Sequence, residues 1–236
     1  MSADLIQLSR TLRTQWDALV EWIDQADLDD DVLAEESAVT GWSVGELVSH
    51  LGRAMDALAV CGPVPPGTVP LSLAEYLGTY PQRSAEITTV TRELDAEIRR
   101  DRVAGISAKA DRAFATLDDL GPHDLVVQAR RGPIMLRDMV ASRLIELVVH
   151  GDDLERSLPG IAGSPLERDA LALAADELLR IVVARGGWSL EVADARTWIR
   201  LAAGRVPYDV DDLTRALRPE FTAGGVPDLG RVLPVV

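Results

Sequence analysis

The sequence predicts a mainly α protein: a helical bundle over residues 1–185 followed by a small α+β appendage over residues 186–236. Three observations carry this. Apolar residues recur at alternating steps of three and four over most of the chain, the signature of helices with one buried stripe. Capping boxes mark several helix starts. The last fifty residues change to short alternation and scattered glycine, which suits strands and turns. Aromatic residues make up only 4% of the chain, and this scarcity, with an abundance of Ala, Leu and Arg, favours helix over sheet.

Leu5, Leu8, Leu12, Trp16, Leu19 and Ile23 form one stripe on a helix of about six turns. Asp27 to Asp31 reads as an acidic, solvated break. Ser43 and Glu46 make a capping box that opens a helix through Leu47, His50 and Leu51 to residue 59. Residues 61–70 hold four prolines and two glycines and read as loop alone. Ser72 and Glu75 form a second capping box, on a helical stretch interrupted near Pro81. Residues 82–118 read as a long charged helix with Ile87, Val90, Leu94 and Ile98 inward and Gly105 as its expected break. Residues 125–133 are β-branched and end in Gly-Pro, so they read as an extended connection. Residues 136–158 form a strong helix. Ser164, Pro165 and Glu167 mark the N-cap, first and third positions of another, which stops at Gly186-Gly187. In the appendage, residues 188–192 alternate like a strand, residues 194–203 read as a short helix closed by Gly204, and the tail contains Gly224, Gly225 and Gly230. All five tryptophans, at 16, 22, 42, 188 and 198, are expected in the core.

The net charge of −14 argues against an extensive nucleic-acid or anionic-membrane surface, since either needs a basic face. Cys61 is the only cysteine, so no intrachain disulfide forms, as expected in a reducing compartment. The charged N-terminal stretch has no apolar signal region, and no apolar run approaches the ~18 residues of a membrane span. The expected location is cytoplasmic.

The chemistry sits in the histidines, of which there are three: His50, His123 and His150. His50 falls between Leu47 and Leu51 on the inward side of its helix. Glu146 and His150 are four apart on another helix and so project from one face. Glu146 interrupts an apolar run, where a carboxylate needs a partner or a cation. Two imidazoles and one carboxylate from facing helices would leave a fourth position open on a divalent metal, the arrangement of catalytic zinc. Spacing alone also allows a plain helix-surface Glu–His pair and a hydrogen-bonded core histidine.

Two motifs tip the balance. TGWSVGELVSHL at residues 40–51 and RLIELVVHGDDL at residues 143–154 resemble, in order and separation, the paired signatures of the mycothiol-dependent maleylpyruvate isomerase family. That family is similar to DinB-like four-helix bundles, and the resemblance spans residues 1 to about 185. It implies His50, Glu146 and His150 as ligands of a divalent metal, zinc, and mycothiol as thiol cosubstrate. A second resemblance, carried by TWIRLAAGR at residues 197–205 and GGVPDLGRVLP at residues 224–234, is to the end of a sterol-carrier-like domain, shortened here.

The family reading implies a metal- and mycothiol-dependent isomerase or S-transferase, in which the thiolate adds to an activated double bond or electrophilic carbon of a small acid. The expected partners are a small-molecule thiol and a small-molecule substrate, for a monomer or homodimer. Arg143, which stands in the family pattern, and Arg205 of the appendage are the catalytic candidates, each able to hold a substrate carboxylate. Arg143 reads equally as a partner of Glu146 or a surface arginine. Arg200 and Arg205 would close over the site and bind acidic substrate groups, or serve the structure alone. Asp153 would orient an imidazole or face solvent. Arg130 and Arg131 would reach an anionic ligand or form an exposed loop, and His123 reads as a surface residue. The competing functional reading is a non-catalytic metal-containing module that binds a small molecule or lipid. A third is a structural protein whose Glu146 and histidines simply pair.

Overall fold

The computed structural model describes residues 3–221 and 225–235; Gly224 of the tail motif lies outside them. In chain order the elements are α1 (Leu5–Gln25), α2 (Asp30–Ala34), α3 (Val44–Ala59), β1 (Gly62–Pro63), α4 (Leu73–Leu77), α5 (Ser84–Ile98), α6 (Arg102–Leu120), β2 (Val126–Ala129), β3 (Gly132–Met135), α7 (Leu136–Ser157), α8 (Arg168–Gly186), β4 (Leu190–Val192), α9 (Ala195–Ala202), α10 (Val210–Ala216) and β5 (Leu217–Pro219). A 3₁₀ turn at Pro81–Arg83 joins α4 to α5.

The protein is mainly helical, as expected. Helices α1, α3, α6 and α7 form a four-helix bundle in which α7 lies against both α1 and α3, and α6 closes the far side. The predicted stripes of α1 and α3 are buried: Leu8, Leu12, Leu19, Leu47 and Leu51 are fully so, and Met55 and Leu58 extend the stripe of α3. Helix α7 is buried on nearly every face, because α8 covers the side left open by α1 and α3. A helix in that position can carry polar groups only if each has a partner. Its buried Arg137, Arg143, His150, Asp152 and Asp153 all have one. Helix α5 lies on the outside of α3.

Both capping boxes form: Ser43 Oγ accepts from the Glu46 N–H, and Ser72 Oγ from the Glu75 N–H, with each glutamate reaching back. The third expected cap does not. Helix α8 starts at Arg168, and Glu167, its N-cap, makes no side-chain cap bond. The backbone before it is satisfied from another helix: Gln15, fully buried on α1, donates to the Pro165 carbonyl at 2.7 Å and accepts from the Glu167 N–H at 3.0 Å. Ser164 Oγ donates to Glu155 at 2.8 Å and accepts from the Leu166 N–H at 3.3 Å, closing a turn just before the helix rather than capping it. At the other end Gly187 takes the left-handed conformation (φ +67°) that stops α8.

Other expectations are corrected. The acidic break at Asp27 to Asp31 is partly helical, because Asp29 caps α2 through the Val32 N–H. The proline-rich loop contributes β1, an edge strand on β2, a position where proline is tolerated. The extended connection is a β-hairpin, β2 antiparallel to β3, with Arg130 and Arg131 as its two-residue tip. The break in the long helix falls at residues 99–101, where Asp101 caps α6. Gly105 is inside α6 and marks a close approach: a Cβ there would lie 2.5 Å from the Ile98 Cβ. Gly105→Ala is therefore expected to destabilise the protein by about 1–2 kcal/mol, overpacking outweighing alanine's better helix propensity. Thermal melts of the single variant check this, as do those of Gly105→Ala placed in an Ile98→Gly background, where the obstructing Cβ is gone and the cost of Gly105→Ala is expected to disappear.

Trp16, Trp22, Trp42 and Trp198 are buried, while Trp188 is half-buried and covers Gly186. Residues 186–235 place α9 on α8, with β4 and β5 paired antiparallel beyond them. Arg200 and Arg196 of α9 bind Asp152 of α7, tying this segment to the bundle. None of the described helices is long and apolar enough to cross a membrane.

Candidate functional site

His50 sits on α3 about two turns past the Ser43 cap, on the buried side facing α7 (about 3.6 residues per turn). Glu146 and His150 are one turn apart on the α7 face that meets it. The structure brings these three together. His50 Nε2 lies 3.4 Å and His150 Nε2 3.5 Å from the same oxygen, Glu146 Oε2. One donor atom from each of the three lies within 4.8 Å of the others.

The ring orientations follow from the other nitrogens. His50 Nδ1 lies 3.1 Å from Thr91 Oγ1 of α5, and His150 Nδ1 lies 3.0 Å from Asp153 Oδ2. Each Nδ1 is thereby occupied and each Nε2 is directed at Glu146. A hydroxyl and a carboxylate acting on the far nitrogen are the usual way to fix a ligating histidine. Trp42 completes the arrangement, its ring centroid 4.7 Å from His50 and 6.2 Å from His150.

Electrostatics separate the two imidazoles. Burial, only partly offset by the Glu146 hydrogen bond, lowers His50 from 6.5 to about 4, so it is neutral at physiological pH. For His150 burial also favours the neutral ring, but hydrogen bonds with Asp153 and Glu146 outweigh it and raise its pKa. Burial would raise Glu146, yet its bonds to the two histidines and the nearby Arg143 hold it well below the carboxylate range. The result is two nitrogens and one anionic oxygen converging on a point. Bonds of about 2.0–2.1 Å in tetrahedral geometry would space such donors about 3.3–3.4 Å apart. The chemistry and spacing of these donors fit a divalent metal such as zinc.

The triad opens into a cavity of about 590 Å³ between α3, α5, α7 and the β2–β3 hairpin. Arg143 lines it. The side chain is buried rather than on the surface, and it spends its donors on the Ala54 carbonyl at 2.8 Å and the Tyr80 hydroxyl at 2.6 Å, with no hydrogen bond to Glu146. Burial depresses Arg143, but Tyr80 and Glu146 more than restore it, so its pKa is raised. Arg205 also lines the cavity, but both contacts of its Nε are to Asp153, at 2.9 and 3.0 Å. It reaches the triad through Asp153, which is fully buried and not on the solvent side. Arg200 does not close over the cavity, being held by Asp152 at 2.7 Å. Arg130 and Arg131 do line it. His123 is exposed in a turn. Cys61 is buried, donates to the Ala57 carbonyl at 3.4 Å, and is pushed by burial up to about 11, so it supplies no thiolate.

Sequence reasoning passed over Thr91, Trp42, Tyr76, Tyr80 and Arg53, all of which bear on this site. Thr91 carried a readable signal: it falls on the stripe Ile87–Leu94 at helical spacing, a polar residue in a buried row. Trp42 was read only as core.

Comparison with known proteins identifies the family and the fold. The family model described as the mycothiol maleylpyruvate isomerase N-terminal domain matches residues 10–155. A crystal structure of the mycothiol-dependent maleylpyruvate isomerase superposes with a TM-score of 0.54 at 17% identity, covering 86% of this chain and 90% of that one. A mutant of that enzyme gives 0.55 at 14% identity with the same coverage. At these identities the superpositions establish the shared DinB-like fold. No curated protein matches the sequence. The family model spans well over half of the 236 residues, and the chain belongs to the mycothiol maleylpyruvate isomerase family.

Proposed function

We propose that this protein is a metal- and mycothiol-dependent isomerase or S-transferase acting on a small electrophilic or unsaturated acid, with His50, Glu146 and His150 as the ligands of one zinc ion. The observation that carries the reading is the convergence of both Nε2 atoms on Glu146 Oε2, at 3.4 and 3.5 Å, at the wall of a cavity large enough for a thiol and a substrate. A divalent metal held there supplies Lewis acidity that keeps an incoming thiol ionised at neutral pH.

The remaining work falls to the chain's own residues. Addition of the thiolate to a conjugated double bond forms a C–S bond and moves the π electrons onto the acid's carbonyl oxygen. Arg143 and Tyr80 are placed to stabilise that charge: Arg143 donates to the Tyr80 oxygen, which leaves the phenol proton for another acceptor. Rotation about the resulting single bond and expulsion of the thiolate complete an isomerisation, whereas protonation of the carbon completes a transfer. Asp153 and Thr91 hold the two imidazoles, and Arg205 holds Asp153. Trp42 packs its ring beside both imidazoles.

The test is elemental analysis of purified protein with its His50→Ala variant, followed by turnover assays with mycothiol. Stoichiometric zinc in the wild type and none in the variant is expected, with thiol-dependent consumption of an unsaturated acid by the wild type only. Metal-free wild-type protein after growth in zinc would rule out the ligand set. A loaded protein inert toward a broad electrophile panel would favour the binding module.

A further inference from the structure

The chain is strongly acidic, at a net −14, yet six arginines line the cavity at the triad against two glutamates, Glu86 and Glu146. Glu146 belongs to the triad, and Glu86 is held by Arg83 at 2.8 and 2.9 Å. Arg143 and Arg205 have the partners described above. Three cations remain: Arg53 of α3 and Arg130 and Arg131 of the hairpin tip, none with an ion-pair partner among the described residues. Asp56, one turn along α3 from Arg53, is already bound by Lys109 at 3.2 Å and faces Arg112 at 3.6 Å. Arg53 is depressed by burial and next by the charge of Arg130, so the positive groups crowd one another.

Two buried donors in this wall have no acceptor at all: Arg131 Nη1 and the Tyr76 hydroxyl. They belong to one cluster. The Arg131 guanidinium carbon stands 3.8 Å from the Tyr80 ring centroid and 5.4 Å from that of Tyr76. Tyr76 is fully buried and lines the cavity beside Arg131. Leaving a buried donor unmade costs about 1–3 kcal/mol, and orphaned donors in a cavity wall are where a ligand's acceptors fit. The cluster is linked to the triad by contact: Arg131 stacks on Tyr80, Tyr80 accepts from Arg143, and Arg143 is one turn before Glu146.

We infer that Tyr76 and Arg131, with Arg53 and Arg130 beside them, form an anion subsite that takes a carboxylate of the electrophilic substrate. Two orphaned donors match the two oxygens of a carboxylate, and a guanidinium recognises that planar group better than an ammonium would. The substrate is then an acid whose carboxylate is seated at the hairpin while its reacting carbon faces the triad. This assignment rests on the function proposed above for the reacting end, but the subsite itself needs no metal.

The test is isothermal titration of the metal-stripped full-length chain with succinate, a compact and unreactive dicarboxylate, at fixed ionic strength. Wild type is expected to bind it, and the neutral dimethyl ester is expected to give no heat. Arg131→Met is expected to weaken succinate at least tenfold, Arg131→Lys less, and Tyr76→Phe about threefold or more, with circular dichroism establishing that each variant is folded. Binding that persists in His50→Ala assigns the anion to the arginines even if that variant and the wild type prove equally metal-free. Loss of binding in His50→Ala, unchanged binding in both Arg131→Met and Tyr76→Phe, or tighter binding of inorganic phosphate than of succinate would overturn the inference.

Discussion

Glu146→Gln is expected to lower the zinc affinity of the protein by more than 100-fold while leaving it folded. Loss of an outer partner of a metal-binding histidine already weakens binding by about 10–100-fold, and this change removes the only anionic donor of the three. The amide keeps the volume of the side chain but not the charge shared between His50 and His150. A second consequence separates this site from any other in the chain. His150 owes its raised pKa to Asp153 and Glu146 acting against burial, so removing the Glu146 charge lowers it, an effect visible by NMR titration of the ring. The pH dependence of zinc binding has a definite sign. His50, held at about 4, is already neutral near pH 7, so a proton must be displaced only from His150. Affinity is therefore expected to fall as pH drops through the folded pKa of His150, which lies above 6.5, and to fall less steeply in the glutamine variant. Chelator competition between pH 6 and 8 measures both. Wild-type affinity in Glu146→Gln would place the metal elsewhere.

The parts of this site that were legible in the sequence are those whose geometry is local. A glutamate and histidine four apart in an otherwise apolar run must share a helix face, and a histidine between Leu47 and Leu51 must border the core. The capping boxes at Ser43 and Ser72 were legible for the same reason, each closing within one turn. The failures come from contacts made over long chain distances. Ser164 has the cap pattern and takes the Leu166 N–H, but the Glu167 N–H goes to Gln15, buried on a helix about 150 residues away. Gly105 looked like a break because glycine is a poor helix former, whereas the packing of Ile98 against it is a tertiary demand. The hairpin could not be told from an extended linker, since β2 and β3 are four residues each and their pairing is not written in either alone. Arg131 and Tyr76 lie more than fifty residues apart and meet only because that hairpin turns its tip into the cavity. Asp153 was ambiguous between imidazole partner and solvent because the helix that buries it, α7, is covered on the side where a bundle helix usually meets water.

That covering by α8 is held at one point by a buried ion pair, and Glu177→Ala is expected to destabilise the protein by about 3–5 kcal/mol. Glu177 of α8 is only 2% exposed and accepts from Arg137 of α7 through both its oxygens, and from Arg180 at 2.8 and 3.1 Å. Arg137 also binds the Ala3 carbonyl at 3.1 Å and Asp138 at 2.8 Å, so it joins the chain's start to both helices. Alanine would take from that buried guanidinium the carboxylate it binds through both oxygens. For a chain of this length the loss corresponds to a fall in Tm of roughly 10 °C. Glu177→Leu combined with Arg137→Met removes both charges and fills the space with apolar volume, so the double variant is expected to recover most of the stability. The pair acts about two and a half turns before Glu146 (at about 3.6 residues per turn), in the first turn of α7, and the triad has its own supports in Thr91 and Asp153. Zinc affinity measured well below the melting point is accordingly expected to stay within a few-fold of wild type in both variants. Parallel loss of affinity and stability would instead make Arg137–Glu177 part of what sets the rotation of α7, and with it the aim of His150.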